Sequence, residues 1–306
     1  MKTKKLCLGV PYYPILIVFL IGIIGIIVGS FYDFQISTSF VNVNQFDRLI
    51  EGFGLVFVYT LIPFSGVMVF ISLKDRGTFL KVLGWIILIF AYVSAVYFLG
   101  DPLKWSFGYK GNGNDSFTIY LPGYAISLVL MGLLIPLAFK VLSKDNKEYL
   151  LRLGILILLV LFIQYGLSML LKNLASRPRY RFLISDTNTT NIEFRNWWEF
   201  KPFSSNGNDG LRSFPSGHMS WCSMLFMLPL FHSALKKQIK NGNIYLFLWA
   251  SFYTVLVGIT RIHSGGHFLS DVSWGLITGL SVVVILNLII KPGKFSLTKP
   301  LTSSNQ

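Results

Sequence analysis

Charge is almost absent from several long stretches of this chain, and the stretches share one length. Runs of about 20 apolar residues are long enough, as helices, to cross a hydrocarbon layer about 30 Å thick. A backbone in lipid must also satisfy its own hydrogen bonds, so such runs fold as helices. Eight are read here: Tyr13 to Phe31, Phe53 to Leu73, Val82 to Leu99, Phe117 to Phe139, Leu150 to Leu171, Pro215 to Leu235, Ile244 to Ile262 and Phe268 to Ile290. The chain of 306 residues is 53% hydrophobic and only 13% charged, outside the range of soluble globular domains. The expected fold class is therefore all-α, a polytopic transmembrane helix bundle. Lys2, Lys4 and Lys5 precede the first run, which lacks a small-residue cleavage site and is expected to remain as an anchor.

A net charge of +14 raises nucleic acid as a partner, and the placement of the basic residues argues against it. With the N-terminus inside, 16 of the 27 Lys and Arg residues fall on inner segments, as the positive-inside rule requires of short loops. Seven of the 11 outer ones lie between Lys172 and Arg212, and that loop calls for its own explanation. Cys7, expected on the inner side, and Cys222, within the sixth run, are not expected to form a disulfide, and neither carries a metal-ligand spacing. Outer loops are expected at 101 to 116 and 180 to 214, the second with "NWWEF" (Asn196 to Phe200) as an interfacial aromatic anchor. Sequons occur at Asn114 and Asn188.

Three polar clusters fall on the expected outer side. "KNLASRPRYRF" (Lys172 to Phe182) ends the fifth run, "FPSGHMS" (Phe214 to Ser220) begins the sixth, and "TRIHSGGHFLSD" (Thr260 to Asp271) joins the last two. Arginine presents a planar fork to phosphate oxygens and lysine adds a point charge, although such residues also snorkel at membrane interfaces. Pro215 suits a first helical turn, so the amides of Ser216 and Gly217 are expected to point at an anion. If the last helix begins near Gly266, His267 and Asp271 share a face, and the carboxylate accepts the Nδ1–H, freeing Nε2 as a nucleophile. A metal site of His263, His267 and Asp271 is an alternative, opposed by the charge of Arg261.

Lys-x6-Arg, then Pro-Ser-Gly-His, then Arg-x5-His-x3-Asp, in this order, resembles the three-part signature of the type 2 phosphatidic acid phosphatase superfamily, which includes lipid phosphate phosphatases and vanadium haloperoxidase-like proteins. Lys172 and Arg179 match the first part, Pro215 to His218 the second, and Arg261, His267 and Asp271 the third. The sequence departs in having Tyr180 where the family has proline, with Arg177-Pro178 two residues earlier, and Thr260 where serine is usual. Arg179 alone keeps the six-residue spacing from Lys172.

The resemblance implies a six-helix phosphatase core with two further N-terminal helices. The divisions are 1 to 149 for N-terminal helices, 150 to 290 for the core and 291 to 306 for an inner tail. It implies a membrane phosphatase without metal or cofactor, hydrolysing a lipid phosphate or polyprenyl diphosphate. His267 is then the nucleophile, Asp271 its orienter and His218 the general acid and base. Lys172, Arg179, Arg261 and the amides of Ser216 and Gly217 hold the phosphate. The expected setting is a bacterial plasma membrane, with the site on its non-cytoplasmic face. The alternatives are a lipid phosphotransferase, or a non-catalytic phospholipid-binding protein or transporter.

Overall fold

Long apolar runs with no polar face have no preferred side to bury, and they assemble here by close approach of their backbones. The computed structural model describes residues 6–103, 117–185 and 192–295. Lys2, Lys4, Lys5, Lys299 and both sequon asparagines lie outside these ranges. A short antiparallel ribbon, β1 (Leu6–Cys7) and β2 (Val10–Pro11), leads into α1 (Tyr12–Phe40). There follow α2 (Gln45–Phe53), α3 (Val56–Leu73), α4 (Thr78–Leu103), α5 (Phe117–Val141), α6 (Lys147–Ala175) and the one-turn α7 (Tyr180–Leu183). After the long loop come α8 (Gly217–Cys222), α9 (Leu228–Ser233), α10 (Gly242–His263) and α11 (Leu269–Ile290).

The chain is thus an all-α polytopic bundle, and among the described residues seven helical stretches have the length and composition to cross a membrane. The expected sixth run, Pro215 to Leu235, is not one of them. It is helical from Gly217 to Ser233, but as α8, a 3-10 turn over Ser223–Met227, and α9. Two local causes are visible. Pro229 cannot donate to the helix ladder, and the Ser223 hydroxyl bonds back to the Ser220 carbonyl while receiving the Gln164 amide at 3.0 Å. Pro215 itself precedes the helix, and Ser216 stands at the N-cap position without a side-chain capping bond.

The first run also differs, because α1 continues nine residues past Phe31 to Phe40. Two polar residues in that extension are buried, Ser37 and Asp33, the latter at 3% exposure against Ser270 at the start of α11, while Gln35, Thr38 and Ser39 are exposed. At 29 residues and about 1.5 Å per residue, α1 overhangs a hydrocarbon layer by more than two turns. Before the second run lies α2, which the hydropathy pattern omits. An Asn44 to Asp47 capping box starts it, with the Asp47 amide 2.9 Å from Asn44 Oδ1.

Close helix contact sets the geometry of the site. At Gly275 of α11, a Cβ would fall 2.4 Å from the Ser216 carbonyl oxygen, and at Gly279 it would fall 2.5 Å from that of Ser220. Only glycine lets α11 lie this near the start of α8. The opposite end of the bundle is tied by ion pairs such as Lys147 to Asp75 at 2.7 Å.

Candidate active site

The three polar clusters meet at one end of the bundle around a cavity of about 230 Å³. Lys172, Arg179, Gly217, His218, Arg261 and His267 line its polar side. Its other wall belongs to the N-terminal half: Leu55 just before α3, Tyr59 of α3, and Tyr97, Phe98 and Asp101 of α4. Tyr165 and Trp221 complete an aromatic floor, where the Phe98 ring lies 5.3 Å from Tyr165 and 5.5 Å from Trp221. The site therefore crosses the expected division at residue 150.

The first cluster divides into two kinds of arginine. Arg177 is 1% exposed and points away from the cavity into a buried network. It donates to Asp33 Oδ2 at 2.9 Å, Asp271 Oδ1 at 2.6 Å, Ser270 Oγ at 2.9 Å and the Arg195 carbonyl at 2.8 Å. Its guanidinium also stands 4.4 Å from the centre of the Phe268 ring. Arg179 lines the cavity, with one fork nitrogen on Asp209 at 2.8 Å and its Nε buried without a protein partner. Lys172 donates to the Arg212 carbonyl at 2.7 Å, and its stem passes near Gly217.

In the second cluster the Ser216 amide is not available to an anion, contrary to the expectation from its place before a helix. It donates to the Asp271 carbonyl at 2.9 Å, which binds the second and third clusters together. The Ser216 hydroxyl is buried without a partner. Gly217 lines the cavity, as expected, and begins α8. The His218 Nε2–H meets the Glu51 carbonyl at 2.9 Å.

The third cluster departs from the expected pairing. Helix α11 starts at Leu269, not near Gly266, so His267 lies outside the helix and shares no face with Asp271. Asp271, at the third helical position, caps its own helix by accepting the Phe268 amide at 2.9 Å. Its remaining bonds come from Arg177 and from the Ser213 hydroxyl at 2.5 Å. His267 Nδ1 instead meets the Ser213 carbonyl at 2.6 Å. Asp271 reaches the imidazole through Ser213, which the sequence reading missed. With Nδ1 donating, Nε2 keeps the lone pair. Burial, with the charges of Lys172 and Arg261 added, holds His267 well below the usual imidazole range, favouring its neutral form.

Arg261 is 1% exposed. Its Nη2 contacts Glu51 at 2.9 Å, while Nε and Nη1 are buried without protein partners. His263 turns instead to Asp47 at 2.8 Å. No group of three His, Cys, Asp or Glu among the described residues is disposed to hold a metal. His232 is remote, held by Asn243 at 2.6 Å. The expected anchor Trp197 packs on Trp274 and donates to Ser30 at 2.9 Å, while Trp198 is exposed.

Chemically, the arrangement gathers the cations Lys172, Arg179 and Arg261, two of them with unmatched N–H donors, around one cavity with His267. Such donors are expensive to leave unpaired and match an oxyanion. A family model described as the PAP2 superfamily matches residues 153–293. No match is found among curated proteins or among solved structures.

Proposed function

With residues 153–293 belonging to the PAP2 superfamily, a membership that supports phosphatase-type activity on phosphate esters, we propose that this protein hydrolyses a lipid phosphate or diphosphate through a phosphohistidine. The observation that carries the reading is that Arg179 and Arg261, which line one cavity with His267, keep buried N–H donors without protein partners, Nε of the first and Nε and Nη1 of the second.

In the first step His267 Nε2 attacks phosphorus while the bond to the leaving oxygen breaks. Lys172, Arg179 and Arg261 hold the equatorial oxygens. The Ser213 carbonyl retains the Nδ1 proton as the ring becomes charged, and Asp271, bonded to the Ser213 hydroxyl, holds that residue in place. His218 acts first as the imidazolium, charged once the phosphate anion is bound beside it: its Nδ1 proton passes to the leaving oxygen, and the neutral Nδ1 then takes one from the water that attacks phosphorus as the bond to His267 Nε2 breaks. Nε2 of His218 is engaged by Glu51, so Nδ1 is the nitrogen that exchanges this proton. A lipid substrate suits a pocket at the helix ends with an aromatic wall, reached from a surrounding bilayer.

The test is phosphate release by the purified protein, with chelator present, from phosphatidic acid, phosphatidylglycerol phosphate and a polyprenyl diphosphate. Release from none of them overturns the hydrolase reading in favour of a phospholipid binder. Transfer to an added alcohol in preference to water indicates a phosphotransferase.

A further inference from the structure

Glu51 belongs to none of the three motifs and lies outside the family-matched segment, yet two parts of the site converge on it. Its carboxylate, in a residue 5% exposed, accepts from Arg261 Nη2 at 2.9 Å and from Arg181 Nη1 at 3.2 Å. Its carbonyl accepts from His218 Nε2 at 2.9 Å. The helix that presents it is pinned to the end of α10 by Asp47 on His263 at 2.8 Å, and the Tyr253 hydroxyl holds the Gly54 carbonyl at 3.0 Å.

We propose that Glu51 is a positioning residue for the phosphate chemistry, acting through Arg261 with its side chain and through His218 with its backbone. Guanidinium is a rigid planar fork, so fixing Nη2 sets where the other donors aim. Those others, Nε and Nη1, are buried without a protein partner on a residue that lines the cavity. A carboxylate that merely competed with phosphate is expected to occupy the inward donors; Glu51 takes one and leaves two. The carbonyl of the same residue fixes the Nε2–H tautomer of His218, leaving Nδ1 to exchange a proton. The N-terminal half thereby supplies part of the catalytic geometry as well as a wall.

The proposal rests on the phosphatase reading, and orthovanadate, an anion of phosphate shape, separates the two. Wild type, Glu51→Gln and Glu51→Ala are titrated with vanadate for affinity and number of sites, and assayed with phosphatidic acid. Positioning predicts vanadate Kd at least tenfold weaker and kcat at least tenfold lower per vanadate site in Glu51→Ala. Glu51→Gln, which keeps an acceptor, should fall between. Vanadate binding that is unchanged or tighter overturns the proposal, tighter binding marking a competing carboxylate. Fewer sites with unchanged Kd and unchanged turnover per site also overturns it, reducing Glu51 to a structural role. If wild type binds vanadate yet hydrolyses nothing, the phosphatase reading fails while the Kd comparison still judges Glu51.

Discussion

Replacing Arg177 by alanine should damage the fold, while the same change at Arg179 should damage the chemistry. Arg177 bridges two buried carboxylates, Asp33 at 2.9 Å and Asp271 at 2.6 Å, on side chains no more than 2% exposed. Removing one partner of a buried pair costs about 3–5 kcal/mol, because the other charge is left behind, and here two charges are left. Arg179, 8% exposed, pairs with a single carboxylate, Asp209, whose side chain is 45% exposed and can turn to solvent when the arginine is gone, so loss of that pair costs less than at Arg177, about 1 kcal/mol. In the proposed mechanism its Nε donates to the phosphate, and removing such a donor costs about 3 kcal/mol in the transition state, a rate loss of about 10²-fold. Thermal unfolding in detergent and phosphate release per folded molecule measure the two effects separately. Arg177→Ala should unfold well below wild type, and adding Asp33→Asn should restore part of the loss by removing one stranded charge. Arg179→Ala should melt near wild type and turn over about 10²-fold more slowly. Wild-type melting of Arg177→Ala refutes the buried-pair argument. A stable Arg177→Ala that loses turnover beside an active Arg179→Ala means that the two roles are reversed.

His267→Ala should abolish hydrolysis of both a lipid phosphate and an aryl phosphate, whereas His218→Ala should still accept phosphate from the aryl ester, whose leaving oxygen departs without a proton. Rapid quench with labelled aryl phosphate should then find an acid-labile adduct on His267, and an adduct on His218 or on no residue contradicts these roles. Gly275→Ala places a Cβ 2.4 Å from the Ser216 carbonyl and should lower stability by about 1–3 kcal/mol along with activity. Gly166→Ala, where a Cβ meets nothing within 4 Å, is the neutral control in the same melting and turnover assays. Single cysteines replacing Lys201 and Lys237 test orientation: an impermeant thiol reagent on intact cells should label only the former, and the reverse pattern refutes a non-cytoplasmic site.

What could be read from the residues follows from how local each signal is. Spans are legible because a membrane imposes length and apolarity on consecutive residues. The motif residues are legible because Lys-x6-Arg and His-x3-Asp are short spacings. The partner of His267 was not legible, since the start of α11 moved by about three residues turns Asp271 from a facing carboxylate into its own helix cap. Asp33 ends an apolar run and reads as the first polar residue of a loop, and only its contact with Arg177 and Ser270, more than 140 residues away, gives it meaning. Glu51 was hidden because α2 is only nine residues long and carries three charges. The Asn44-x-x-Asp47 cap just before the second run was the one local sign of it.

The cavity has two owners. Its polar side is built from α6, α8 and α10 with Arg179 and His267, and its aromatic side from Tyr59, Tyr97 and Phe98 on α3 and α4, which in the proposed reaction face whatever the phosphate is attached to. On that reading, substitutions on those two helices should alter which molecule is chosen while the reacting atoms stay where they are, so a lineage can change its diet without rebuilding its teeth. Glu51 sets the limit of that freedom, because a replacement N-terminal half must still bring a carboxylate to Arg261 and a carbonyl to His218.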